Sequence, residues 1–281
     1  MRIRIAKDAG YCFGVRDAVN LAYDTSEKYG QVYMLGDIVH NEQVVNDLNN
    51  AGAKVVEKIE SIPNNSPVLF RAHGTKNKIW KDAKRRKLNV IDATCPLVHE
   101  IHHEVKKLEK EGRKIIIIGD HGHDEVIAIA DQVKHPLVIS NKSEAEKIRK
   151  IKKAGIVSQS TQMIENVQEI INTLMRKVFD LRFVNTICFP TKRNHEQIKE
   201  MALQNDIMII IGSFTSANSK RLTELSKQRN NNSYQVTCAK DLNVNWFKNV
   251  EKVGISAGAS TPDYLIEEVK NKINLISEGK S

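Results

Sequence analysis

An α/β protein built on parallel sheets is what this sequence predicts, and three observations carry that reading. Short apolar runs alternate with amphipathic helical stretches along all 281 residues, the alternation that gives parallel sheets flanked by helices. The polar motifs fall almost entirely just after the apolar runs, where open parallel sheets bind their ligands. Three cysteines, Cys12, Cys95 and Cys188, cut the chain into near-equal thirds, each in a short loop-like segment. If these thirds are three similar units packed around a centre, one thiolate from each could meet there.

In chain order, Val32–Leu35 is the first strand and feeds Gly36-Asp-Ile-Val-His40-Asn41. Val68–Arg71 is the next and leads into Ala72-His73-Gly74. A helix over Val98–Glu111 follows, with Val98, Ile101, Val105 and Leu108 on one face and Gly112 as its stop. The run Lys114–Ile118 is a strand that opens into Gly119-Asp-His-Gly-His123-Asp-Glu125, and Leu137–Ile139 is another. Gly155–Val157 precedes the hydroxyl-rich Ser158-Gln159-Ser160-Thr161, and a helix over Glu165–Val178 comes next. Ile207–Ile211 enters Gly212-Ser-Phe-Thr-Ser216-Ala217-Asn218-Ser219. Val253–Ser256 enters Ala257-Gly-Ala-Ser260, and Thr261-Pro262 supplies an N-cap and N1 pair for a helix over Asp263–Ile276.

Composition bounds the function. Hydrophobic residues make up 41% and charged residues 27%, the mix of a soluble globular protein. The first fifteen residues hold no apolar stretch of secretory length and no segment reads as membrane-spanning, so a cytoplasmic location with reduced cysteines is expected. The net charge of +9 favours anionic partners. Aromatic residues, at 5%, do not interleave with the basic runs as base-stacking platforms would, so nucleic acid is not expected. No Gly-rich nucleotide fingerprint occurs.

The post-strand loops carry two kinds of chemistry. His40, His73, His123, Ser216, Asn218 and Ser260 are hydrogen-bond donors beside or near glycines, a set suited to a phosphate or diphosphate. Glu125, two residues after His123, is placed for proton transfer, and the hydroxyls of Ser160 and Thr161 extend that relay. His99, His102, His103, His121, His135 and His195 read as surface or structural, with His121 and His195 having no defined partner. Three cysteines, one per third, leave a shared metal centre one ligand short of closure, which points to chemistry rather than structure. A free cysteine is otherwise a small core hydrophobe, and Cys238, with no counterpart in the other thirds, reads that way. On these residues alone the alternatives are a non-catalytic binder of phosphorylated ligands or nucleic acid, driven by the +9 charge, and a three-Cys structural metal protein, for instance with zinc closed by a histidine.

Eight segments, in order, resemble the 4-hydroxy-3-methylbut-2-enyl diphosphate reductase family. They are Gly10-Tyr-Cys-Phe-Gly-Val15, Val39-His-Asn41, Ala72-His-Gly74, Asp92-Ala-Thr-Cys-Pro-Leu-Val98, Gly122-His-Asp-Glu-Val126, Thr186-Ile-Cys188, Ser216-Ala-Asn-Ser219 and Ala257-Gly-Ala-Ser-Thr-Pro262. The resemblance implies a trefoil of three α/β units, residues 1–95, 96–188 and 189–281, around a central [4Fe-4S] cluster with three Cys ligands, Cys12, Cys95 and Cys188, and one open iron site. It implies an allylic diphosphate substrate, bound by His40, His73, His123, Ser160, Thr161, Ser216, Ala217, Asn218 and Ser260, with Glu125 as proton donor. It further implies reductive dehydroxylation to isopentenyl and dimethylallyl diphosphates, the last step of non-mevalonate isoprenoid biosynthesis. Electrons would come from an external carrier such as ferredoxin or flavodoxin. Two departures stand out. Ala217 replaces the family's second serine, and Asn194-His195 replaces its Arg-Gln pair, with Arg193 one residue earlier.

Overall fold

The computed structural model describes residues 1–279; the last two residues of the expected third unit lie outside them. In chain order the elements are β1 (Arg2–Ile5), α1 (Phe13–Tyr29), β2 (Val32–Leu35), α2 (Glu42–Asn50), β3 (Ala53–Val56), β4 (Pro67–Phe70), α3 (Asn77–Arg85), β5 (Asn89–Asp92), α4 (Pro96–Lys110), β6 (Lys114–Ile118) and α5 (Asp124–Ala130). They continue with β7 (Leu137–Ile139), α6 (Lys142–Lys147), β8 (Ile151–Ser158), α7 (Ile164–Leu174), β9 (Val178–Phe183), α8 (Phe189–Gln204), β10 (Ile207–Ile211), α9 (Ala217–Lys227), β11 (Ser233–Val236), β12 (Lys252–Ala257) and α10 (Asp263–Ser277).

The strands form three four-stranded sheets, ordered β3-β2-β4-β5, β7-β6-β8-β9 and β11-β10-β12-β1. Every pairing is parallel. One topology is therefore repeated three times. A first strand sits centrally, the second joins one side of it, the third crosses to the other side, and a fourth closes that edge. In the last sheet the closing strand is β1, from the opposite end of the chain. By compactness the chain forms two units, one of residues 1–16, 39–46 and 189–281, the other of 17–38 and 47–188.

Burial explains the sheets. In β6, Ile116 and Ile118 pack with Val167, Ile170 and Leu174 of α7. Ile115 and Ile117 face the other way, onto Ile101, Val105 and Leu108 of α4 and Val126 and Ile129 of α5. Successive strand residues point to opposite faces, so a strand covered on both sides reads as an unbroken apolar run. β10 repeats the pattern, with all five residues buried. Its sheet packs Ile207, Ile209 and Ile211 against Leu265, Val269 and Ile273 of α10.

Several boundaries differ from the sequence reading. The α7 helix ends at Leu174, because Val178 already belongs to β9. Pro262 is itself the N-cap of α10, and the Thr261 hydroxyl donates instead to the Ile211 carbonyl at 3.0 Å. Thr261 thus ties the loop after β12 to the end of β10 rather than capping the helix. Cys238 is half-buried against the core of that sheet, not fully enclosed. No helix among the described residues is long and apolar enough to cross a membrane.

Candidate functional site

In each sheet the strand order reverses between the first and third strands, and ligands of parallel sheets bind beyond the carboxyl ends at such reversals. The loops that leave these strand pairs hold the polar motifs. β2 and β4 lead to His40 and His73, β6 and β8 to His123, Glu125, Ser160 and Thr161, and β10 and β12 to Ser216–Asn218 and Ser260. The fourth strand of each sheet leads to a cysteine, and each cysteine immediately precedes a helix, α1, α4 or α8.

The three cysteines also share one backbone contact. The N–H of Cys95 donates to the Ala72 carbonyl at 3.0 Å, that of Cys188 to the Ser160 carbonyl at 3.0 Å, and that of Cys12 to the Ala259 carbonyl at 3.4 Å. In every case the acceptor lies in the loop after the third strand, at or next to a candidate ligand-binding residue. Helix N-termini turn positive dipole ends and spare N–H groups toward whatever follows the strand, a setting that suits negatively charged sulfur. None of the four cysteines forms a disulfide, and all are half-buried. Among the described residues no three or more His, Cys, Asp or Glu side chains are gathered at metal-ligand spacing. The donor set itself, three thiols outside any disulfide in equivalent pre-helical positions, suits a thiolate-held cluster.

In the unit of residues 17–38 and 47–188, Glu125 lies in the first turn of α5 and is 2% exposed. Its carboxylate accepts from the Ser160 N–H at 2.6 Å and from the Ser160 hydroxyl at 2.7 Å. The His123 ring caps the same helix, its Nδ1 accepting from the Glu125 N–H at 3.2 Å. With Nδ1 an acceptor, a neutral His123 carries its proton on Nε2. The His73 and His123 rings meet edge to face, centroids 5.7 Å apart. Arg71, two residues before His73, pairs with Asp124 at 2.6 Å, so the two loops are pinned together beside the acid. Under the His73 loop lies His102, 8% exposed. Gly74 has φ of +89°, and a Cβ there would come within 2.9 Å of His102 Cε1, so only glycine suits the turn. Burial, with His99 and Lys106 adding to it against Asp92, lowers the His102 pKa to about 4.

His121, expected to lack a partner, bonds Glu144 through Nε2 at 2.8 Å. That bond, with the Ser140 N–H and hydroxyl and against partial burial, holds the Glu144 carboxyl down to about 2. His99 likewise meets Asp92 at 3.2 Å, and Asp92 also accepts from Thr94, bending the chain into Cys95.

In the other unit, Ser216 is the N-cap of α9 and accepts from the Ser219 N–H at 3.3 Å. Ala217 is the first helical residue. Asn218 is 6% exposed, and neither its amide oxygen nor its nitrogen has a hydrogen-bond partner. A buried amide left so is costly unless a ligand supplies the partners. Asn218 lines a cavity of about 580 Å³ together with Cys12, Arg16, Thr191 and Asn194. The Ser260 hydroxyl donates to the His40 carbonyl at 3.0 Å. Glu42, after His40, is pushed up by burial, yet hydrogen bonds from Ser213, its own N–H and Thr215, with the His40 charge, bring it below its usual range. Thr215 is thereby already engaged beside Ala217. Arg193 pairs with Asp8 at the surface. Asn194 and His195 are both buried in α8, and the Asn194 amide donates to the Ala257 carbonyl at 3.4 Å.

The sequence reading gave no role to Arg71, Asp124 or Gln159, and took His102 as surface or structural. Asp124 and Gln159 both stand inside motifs already singled out, beside residues whose chemistry is more conspicuous.

Comparison with known proteins places the chain in a family. Residues 3–274 match the LytB protein family. A 4-hydroxy-3-methylbut-2-enyl diphosphate reductase of Geobacter sulfurreducens is 40% identical over 274 residues, covering 97% of each chain. One from Aquifex aeolicus is 39% identical over 283 residues, covering 99% of this chain and 98% of the relative. The solved E-1-hydroxy-2-methyl-but-2-enyl-4-diphosphate reductase of Plasmodium falciparum is similar with a TM-score of 0.92 at 30% identity, covering 98% of this chain and 87% of that one. A second solved structure, of the reductase described as the terminal enzyme of the non-mevalonate pathway, has a TM-score of 0.71 at 38% identity, covering 98% and 99%. Matched over nearly its whole length at these identities, the chain belongs to the LytB protein family.

Proposed function

We propose that this chain is a 4-hydroxy-3-methylbut-2-enyl diphosphate reductase that removes the substrate's hydroxyl and yields isopentenyl and dimethylallyl diphosphates. The reading rests on the full-length family match, and on the cysteine-to-loop contact repeated in all three sheets. Cys12, Cys95 and Cys188 would hold an iron–sulfur cluster; when bound, it supplies electrons one at a time and an electron-poor iron for the departing hydroxyl. Overall, two electrons and two protons enter. The C–O bond breaks, one proton completes the departing water, and the other ends on carbon.

The residues divide the remaining work. Ser216, the N–H of Ala217, Asn218 and Ser260 grip the diphosphate, with the positive end of α9 behind them. The unpaired Asn218 amide finds its partners there. His123, proton on Nε2, and His73, held edge to face with it, are the histidine donors to the substrate. Glu125 delivers the proton, with Ser160 as its hydrogen-bonded neighbour. The electrons come from outside the chain, and the +9 net charge favours a small acidic carrier such as a ferredoxin or flavodoxin.

Anaerobic purification tests the cluster assignment. The expected product is brown, with ~4 iron and ~4 sulfide per chain. Cys12→Ser, Cys95→Ser and Cys188→Ser should each lose most of that iron, whereas Cys238→Ser keeps it. Wild-type iron content in any of the first three would remove that cysteine from the ligand set.

A further inference from the structure

Gln159 lies between β8 and the Ser160–Thr161 hydroxyl pair, and its side chain is 0% exposed. A buried primary amide must place both an oxygen and an NH2 group. Gln159 Oε1 accepts from the backbone N–H of Asp120 at 2.9 Å, and Nε2 donates to Thr161 Oγ1 at 3.0 Å. The orientation of the amide is settled by chemistry. A peptide N–H can only donate, so the end facing Asp120 is the oxygen and the end facing Thr161 is the donor. Thr161 Oγ1 therefore accepts from Gln159, and its own proton is directed away from Gln159.

The approach is close enough to constrain the neighbouring sequence. A Cβ at position 119 would lie 3.1 Å from Gln159 Cβ and 3.2 Å from its Oε1, and 2.5 Å from Val126 Cγ2. Gly119 lets the amide reach the start of the segment that carries His123 and Glu125. Gln162 adds a longer contact to Asp120 at 3.4 Å. Ser160, the next residue along, holds the far end of that segment through its two bonds to Glu125. Two consecutive residues thus clamp the segment at both ends.

We propose that Gln159 is a positioning residue for proton delivery: it fixes the 119–125 segment against the turn after β8 and sets the direction of the Thr161 hydroxyl proton. The proposal rests on Glu125 being the proton donor. Gln159→Glu keeps an acceptor for the Asp120 N–H but cannot donate, so the Thr161 proton turns toward the new carboxylate. This variant isolates the Thr161 branch. Gln159→Met keeps the volume, removes both bonds, and covers the case in which a buried carboxylate prevents folding.

Both variants should retain wild-type iron and lower kcat by ~10–100-fold, with KM within about twofold, since the bonds act on proton delivery rather than on binding. Amide exchange offers a readout independent of turnover: in Gln159→Met the Asp120 amide should lose protection while β8 keeps its own. The deciding comparison is made in a Thr161→Val background, where Gln159→Glu should cost less than about threefold more, because its effect passes through a hydroxyl already gone. A full, additive loss there, or wild-type kcat in both single variants, overturns the proposal. Glu125→Gln is measured alongside. If it turns over normally, the proton-donor reading falls and takes this one with it. If it is slow while the Gln159 variants are normal, only the role of Gln159 falls.

Discussion

Acidification should destabilise this protein through one buried histidine. His102 sits under the Gly74 turn, with Nε2 unpartnered and its ring against the glycine. Its pKa is lowered from 6.5 to about 4 by burial, then by His99 and Lys106, with Asp92 opposing. A depressed folded-state value means that the native form stays neutral while the unfolded chain takes up a proton. Between pH 6.5 and 4 the unfolded state binds more protons, so the stability present above pH 6.5 is lost as pH falls through that window. At 1.36 kcal/mol per pH unit the full span amounts to about 3 kcal/mol, a large part of the 5–15 kcal/mol typical of a folded domain. For a chain of this size that is roughly 6–12 °C in melting temperature. The control is His102→Met, which fills similar space and does not titrate. The variant is expected to melt lower at pH 7, through imperfect packing, but its loss between pH 7 and 4 should be smaller than wild type by roughly 6–12 °C. Side-chain NMR should show the His102 ring neutral at pH 5. Parallel melting curves for the two proteins across this range, or a His102 ring that charges near pH 6.5, would refute the reasoning.

Glu125→Gln should fold normally, because the new amide can accept from the Ser160 N–H and donate to its hydroxyl; iron and KM should persist while kcat falls by ~10²–10⁴-fold, and near-wild-type turnover would free Glu125 of its role. Ala217→Ser restores a hydroxyl at the first residue of α9 and should lower KM by up to roughly tenfold with kcat unchanged. Asn218→Ala should do two opposite things: raise the melting temperature of the ligand-free protein by removing an unpaired buried amide, and weaken diphosphate binding. If neither substitution moves KM while iron is retained, the diphosphate does not lie on this loop.

The sequence by itself determined the chemistry and the middle of each sheet. β2, β4, β6, β8, β10 and β12 were all legible, because strands buried on both faces are near-continuous apolar runs. The motifs after them were legible for the same reason, since a polar loop next to such a run stands out. Of the six edge strands only β7 was read. β1 and β5 have no buried residue, and β3, β9 and β11 mix buried with part-exposed ones; an edge strand needs no apolar run because one side meets solvent. That gap hid the four-strand order common to the three sheets. Only tertiary pairing reveals that β1 closes the sheet of β10–β12, so that Cys12 follows a fourth strand as Cys95 and Cys188 do. Tertiary structure alone also decided the supporting contacts. Gln159 on Asp120, Arg71 on Asp124 and His102 beneath Gly74 join residues distant in sequence, and a contact between distant residues leaves no periodic trace in either segment. Local burial writes itself into composition; partnership across the fold is decided when the chain closes.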